Sequence, residues 1–117
     1  MKIETLLDKL NVSPSSIEFT ETMAVIADNY DYTPSAFTNG DTQNEAGTNE
    51  GSCKLLAFAN LQGLTEEQTL ALFGHYYRDD VLGNPNGSDH GNIRNFMRSG
   101  WSGVAFATPC EDILKAK

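Results

Sequence analysis

The chain has 117 residues, 39% of them hydrophobic and 9% aromatic, enough to bury a core without disulfide or metal staples. Sixteen acidic against eight basic side chains give a net charge of −8, which disfavours nucleic acid and anionic membrane surfaces as partners. No apolar run reaches the ~18 residues of a membrane span, the opening MKIETLLDKL is too polar for a secretory signal, and Cys53 and Cys110 have no CxxC spacing. Free thiols in a cytoplasmic protein follow as the expectation.

Ile3, Leu6, Leu7 and Leu10 share one helical face, which predicts a short amphipathic helix ended by NVSPSS. A second helix is expected from Thr20 as N-cap, with Glu21 in its first turn and Phe19 stapled to Ala24. Its buried stripe is predicted as Met23, Ile26, Ala27 and Tyr30, and the segment before Pro34 stops it. SAFTNG reads as a short strand with a turn at Asn39-Gly40. DTQNEAGTNEG contains no large apolar group and predicts a structureless surface loop, mobile or functional.

The third helix is expected over residues 51 to 62, capped by Thr48, Asn49 or Ser52 and buried through Leu55, Leu56, Phe58, Ala59 and Leu61. Gly63 followed by Leu64 predicts a Schellman ending. Thr65 and Gln68 then form a capping box, one of the most specific local signals in the chain. A long fourth helix is predicted from Glu66 to Leu82, with Leu70, Phe73, Tyr77 and Val81 in one stripe and Gly83 and Pro85 ending it. The fifth begins at Ser88 or Asp89 and ends at Ser99, with Ile93, Phe96 and Met97 inward. Gly100 should terminate it and place Trp101 on Phe96. VAFAT reads as a strand able to pair with residues 36 to 38, and CEDILKAK as a last helical turn or a loose tail. The expected fold class is mainly α (α+β): about five helices packed layer on layer with a small two-stranded β-element, in a single domain over residues 1 to 117.

Several segments together resemble the HopJ family, named for a type III effector of a plant-pathogenic bacterium. They are AFTNG, AGTNEGSCKLLAFA, LTEEQTLALFGHYYRDDVLGNPNGSDHGNIRNFM and GWSGVAF, in order and spacing, over roughly residues 20 to 107. The family's motif matches at Asn39, Gly47, Asn49, Glu50, Gly51 and Lys54, and again at His75, Tyr77, Arg78, Pro85 and Gly87. It continues through His90, Asn92, Ile93, Arg94 and Trp101. The resemblance implies a small stand-alone bacterial protein; it assigns no role to these positions and leaves delivery into a host cell open.

Both histidines lie in one segment, HYYRDDVLGNPNGSDHGNIRNF. His75, Arg78 and Asp79 are helical neighbours, which suits an anion clamp through Arg78 or, equally, a hydrogen-bonded His75 beside an Arg78–Asp79 surface pair. In NGSDHGNIR a helix N-terminus meets Gly87, Gly91, His90, Asn92 and Arg94, the makings of a phosphate or carboxylate pocket. The competing reading has Ser88 or Asp89 capping the helix and filling the anion position. If GTNEGS meets this loop in space, one pocket holds Asn49, Glu50, Lys54, His75, His90 and Arg94.

A metal centre from His75 and His90 with Asp79, Asp89 or Cys53 lacks any H-E-x-x-H support. The acidic loop fails as a calcium site because Ala46 stands where glycine is required. No metal or cofactor is therefore expected. Cys53 beside Lys54 is either a thiol with lowered pKa or a small buried core residue. G-x-S-x-G and the P-loop motif are absent. The function expected is a non-enzymatic, cytoplasmic binding domain for a small anionic ligand or a protein partner. The alternative is a hydrolase-like acid/base enzyme using His75 or His90 with Arg78 or Arg94.

Overall fold

Apolar residues at helical spacing form α1 (Ile3–Val12) in the computed structural model, which describes residues 2 to 117. Leu6 and Leu10 are buried. A 3₁₀ turn at Pro14–Ser16 leads into α2 (Phe19–Asn29). Thr20 is not its cap. Glu18 takes the N-cap position, and its backbone N–H donates to Glu21 Oε1 at 3.0 Å. The buried face shifts accordingly to Thr22, Val25 and Ile26, leaving Ala27 exposed. The early start has a tertiary cause: Phe19, now inside the helix, stacks on Phe73 at 6.3 Å between ring centroids.

After α2 come β1 (Tyr30–Tyr32) and a hairpin of β2 (Phe37–Asn39) and β3 (Thr42–Asn44). The hairpin turn is Gly40-Asp41 rather than Asn39-Gly40, because Asn39 and Thr42 are cross-strand partners. Gly40 has φ +59° and Asp41 does not have positive φ, the pattern of a type II′ turn. β3 lies inside the segment expected to be structureless. It needs no apolar residue because its inward side chain, Asn44, is buried with its hydrogen bonds made. β4 (Val104–Phe106) pairs antiparallel with β2 in the expected place, with Phe37 opposite Phe106. The sheet order is β3-β2-β4.

α3 (Glu50–Gln62) runs through the core and buries Cys53, Leu55, Leu56, Ala57, Phe58 and Ala59. Gly63 ends it at φ +67°, and the Leu64 N–H reaches back to the Ala59 carbonyl at 3.0 Å, the Schellman ending expected. The Thr65–Gln68 capping box starts α4 (Glu66–Ala71) with bonds of 3.2 and 3.0 Å.

The long helix expected to Leu82 is broken. Gly74 takes φ +65°, and Tyr76–Val81 forms a π-helical turn. A Cβ at Gly74 would stand 2.6 Å from the Phe19 nitrogen and 2.9 Å from Glu18 Cα. Two backbones touch there, and only glycine fits. α5 (Gly91–Ser99) starts later than Ser88 or Asp89, with His90 at the N-cap position. Ile93 and Phe96 are buried as expected, but Met97 is 43% exposed. Trp101 packs edge-on against Phe96 at 5.0 Å and donates its indole N–H to the Leu64 carbonyl at 3.0 Å.

The final segment is neither a loose tail nor helix alone. α6 (Cys110–Ile113) turns into β5 (Leu114–Ala116), antiparallel to β1 with Tyr32 opposite Leu114. Leu114 and Ile113 are buried. The protein is mainly α with some β, its helices shorter and more numerous than expected and its β portion two small sheets rather than one strand pair.

Candidate functional site

The turn before α3 and the turn before α5 converge. Each ends in a left-handed residue, Asn49 at φ 49° and His90 at φ 51°, the two non-glycine residues with positive φ among those described. Both stand at N-cap positions, yet among the described residues neither helix end receives a side-chain cap. The Asn49 amide instead donates to Asn44 Oδ1 at 2.7 Å. The same oxygen accepts from Asn92 Nδ2 at 3.1 Å. One buried acceptor on β3 thus ties the start of α3 to the first turn of α5. Asn39 extends the network, its Nδ2 donating to the Asn92 carbonyl at 2.8 Å and to Asn92 Oδ1 at 3.0 Å. Asn95 Nδ2 donates to the Asn39 carbonyl and to Thr42 Oγ1. A buried amide left without partners costs ~1–3 kcal/mol, so such a network holds one arrangement.

Between these helix ends lies a cleft of about 510 Å³, within the ~300–1,000 Å³ of ordinary ligand sites. Phe19, Phe73, Tyr76 and Ile93 supply its apolar lining. Asn49, Ser52, His90 and Asn92 supply polar groups, and Gly51 and Gly91 bring backbone to its wall. The uncapped first turns of α3 and α5 leave N–H groups there without intrahelical acceptors.

Three of the candidates named from sequence, Asn49, His90 and Asn92, meet at this cleft. His90 Nε2 lies 3.1 Å from Asp80 Oδ2 and 3.8 Å from Asp89 Oδ2, and its ring is 5.2 Å from that of Tyr76. Glu50, Lys54, His75, Arg78 and Arg94 do not line the cleft. His75 Nδ1 pairs with Glu18 Oε2 at 2.9 Å. Arg78 donates to the Ile17 carbonyl and to Glu18 Oε1, both at 2.6 Å, and not to the exposed Asp79. These two side chains therefore hold the start of α2 against the Gly74 break. Arg94 is a loop staple: its guanidinium donates to the Asp89 carbonyl at 2.6 Å, Asp89 Oδ1 at 2.7 Å and the Asn84 carbonyl at 3.0 Å. Asp89 thus faces Arg94 and does not cap α5. The Lys54 ammonium sits 4.7 Å above the Tyr32 ring.

The charge environment follows these contacts. The hydrogen bond with His75 is the main cause holding the Glu18 carboxyl below the usual range, with Arg78 adding to it. Arg94 does the same for Asp89. Burial pushes the Cys53 thiol up rather than down, so the neighbouring Lys54 does not activate it. Cys110 is pushed up to about 11, also by burial. Among the described residues no three His, Cys, Asp or Glu side chains gather as metal ligands.

Phe19, Tyr76, Asp80 and Asn44 were not visible as site residues in the sequence. Phe19 reads as a helix-start staple, and Asn44 sits in a polar run with nothing to mark it as buried. Asp80 shares a segment with His90, but the π-helical turn that aims it has no sequence signature of its own.

Comparison with known proteins agrees with the architecture. A family model described as "HopJ type III effector protein" matches residues 3–110. A crystal structure described as that of "unknown function protein VPA0580" is 56% identical and superposes with a TM-score of 0.95, covering 100% of this chain and 95% of that one. No curated protein matches.

Proposed function

The chain belongs to the HopJ type III effector family, and we propose that it acts as a small, single-domain binding protein whose ligand sits in the cleft between the starts of α3 and α5. One observation carries this reading: two uncapped helix starts, each preceded by a left-handed non-glycine residue, face the same cavity of about 510 Å³. Left-handed conformations at residues other than glycine are uncommon and gather at turns and ligand sites, the cost being smaller at Asn49 than at His90. Open helix N-termini favour negative charge. An anionic small molecule is therefore the expected occupant, with a protein partner the other possibility for the same rim.

The reading is tested by titrating the isotope-labelled full chain with small organic acids and following backbone amides by NMR. Saturable shifts at Gly51, Ser52, Gly91 and Asn92 are expected. Titrations that leave these four amides unmoved count against the cleft.

An acid/base enzyme is the second reading, favoured by the Asp80 carboxylate 3.1 Å from His90 Nε2 at the cleft wall. Arg78 and Arg94, the arginines that would hold its substrate, are both engaged within the protein. His90→Asn keeps a side chain tolerant of the left-handed region. If it abolishes turnover of a bound molecule while binding persists, the enzyme reading gains.

No helix of the described residues is long and apolar enough to cross a membrane. A cytoplasmic location is proposed, with delivery into a host cell as the role the family name suggests. A reporter-fusion translocation assay without signal in host cells would remove the effector role for this chain.

A further inference from the structure

We infer that the cleft takes a small monocarboxylate with an apolar, ring-sized body, its carboxylate against His90 and Gly91. The inference rests on the cleft being the ligand site, and it names what that site selects.

Among the described residues, no lysine or arginine lines the cleft. Arg78 and Arg94 donate to backbone carbonyls and carboxylates elsewhere, and the Lys54 ammonium sits over the Tyr32 ring. A phosphate dianion is ordinarily held by such side chains. Here it would meet one histidine flanked by Asp80 and Asp89, in a chain of net charge −8. A monocarboxylate adds one negative charge beside the Asp80–His90 pair; a phosphate dianion adds two, with no further cation to face them.

The histidine is set up for that task. An ionised Asp80 can only accept, so His90 carries its proton on Nε2. Nδ1 has no hydrogen-bond partner among the described residues. In the protonated ring Nδ1–H becomes a donor, and imidazolium between the Asp80 carboxylate and a ligand carboxylate forms two charge-assisted bonds. The groups facing the ring are Asp80, Asp89 and the Tyr76 ring.

Gly91 leaves the cleft wall bare beside His90. It does not hold positive φ, and a Cβ built on it meets nothing within 4 Å. Neither backbone strain nor packing demands glycine there. Gly51 differs, since its Cβ would press to 2.8 Å against Phe19 Cζ. At Gly91 the missing methyl leaves the cleft wall open to close approach by a ligand atom. The remaining lining fits an apolar body: Phe19 stacks on Phe73 and meets Tyr76 edge-on at 5.3 Å, forming an aromatic surface beside His90.

The probes are phenylacetate, its neutral analogue phenylacetamide, and inorganic phosphate, each titrated into the full chain and followed by amide NMR and calorimetry. Phenylacetate is expected to shift Gly91 and Asn92 and to bind about tenfold more tightly than the amide, as loss of one charge-assisted contact implies. His90→Asn should erase the preference for the acid. Gly91→Ala should weaken phenylacetate while leaving the melting temperature equal or higher, because alanine is the better helix former. Phenylacetamide binding as well as phenylacetate, phosphate binding as well as either, or an unchanged preference in His90→Asn would each overturn the carboxylate assignment and leave the cleft as the site. No movement of the cleft amides with any of the three probes would overturn both.

Discussion

Gly74 and Gly63 have nearly the same backbone conformation, at φ +65° and +67°, and opposite surroundings. At Gly63 a Cβ would meet nothing within 4 Å; at Gly74 it would stand 2.6 Å from the Phe19 nitrogen and 3.0 Å from the Glu18 carbonyl carbon. Gly63→Ala therefore isolates the cost of holding alanine left-handed, about 1–2 kcal/mol. Gly74→Ala adds an overlap with backbone that no side-chain rotation relieves, roughly another 1–3 kcal/mol. The expected losses are then about 1–2 kcal/mol for the first variant and about 2–5 for the second. Urea unfolding of both variants beside the parent protein, with slopes compared to exclude a change in the unfolded state, measures the gap. Equal losses would refute the view that the break in the long helical pattern is set by contact between Gly74 and the start of α2.

Asn44→Ala leaves the amides of Asn49 and Asn92 short of their shared acceptor, and denaturant unfolding should show a loss of about 2 kcal/mol. Amide shifts should appear together in the first turns of α3 and α5. Because the Glu18 pKa is lowered, its contacts stabilise the fold above the ordinary glutamate value of 4.5 and are lost as pH falls through the lower folded value. Glu18→Gln should thus be less stable than the parent near neutrality and lose less further stability on acidification below pH 4.5, as read by denaturant midpoints across pH. Cys53 and Cys110 are 1% and 8% exposed with raised pKa values, so a thiol reagent at pH 8 should label neither at an appreciable rate until denaturant is added. Rapid labelling of the native protein would contradict the burial of both.

Local signals were read well because their partners lie within a few residues. The Thr65–Gln68 box and the Gly63–Leu64 ending each close over a single helical turn. The Trp101–Phe96 contact followed from the same ending logic. Failures came where a distant residue decided the outcome. Leu70, Phe73, Tyr77 and Val81 keep helical spacing straight through Gly74, so the break is invisible without knowing that Phe19 lies beside it. Thr20 is the better cap by chemistry, yet Glu18 has His75 and Arg78 to hold it in place. The strand at Thr42–Asn44 has no hydrophobic alternation, since its buried residue is an amide satisfied by Asn92 and Phe37. Of the candidate residues, Asn49, His90 and Asn92 line the cleft. Arg78 and Arg94 lie away from it, donating to backbone carbonyls and carboxylates, and a guanidinium's choice of backbone acceptors leaves no trace in spacing.

The pairing of Tyr30–Tyr32 with Leu114–Ala116 has a mechanical side. Tyr30 lies opposite Ala116, so the chain running back towards the N-terminus and the chain running on to Lys117 leave the strand pair at the same end. Tension applied between the two termini would load that end first and open the cross-strand bonds one after another, as in a zipper, rather than all at once in shear. Leu114 would leave its buried seat only after Ala116 and Lys115 had let go. A device pulling on the C-terminus would therefore meet weak, stepwise resistance before it reached α6 and the core behind it.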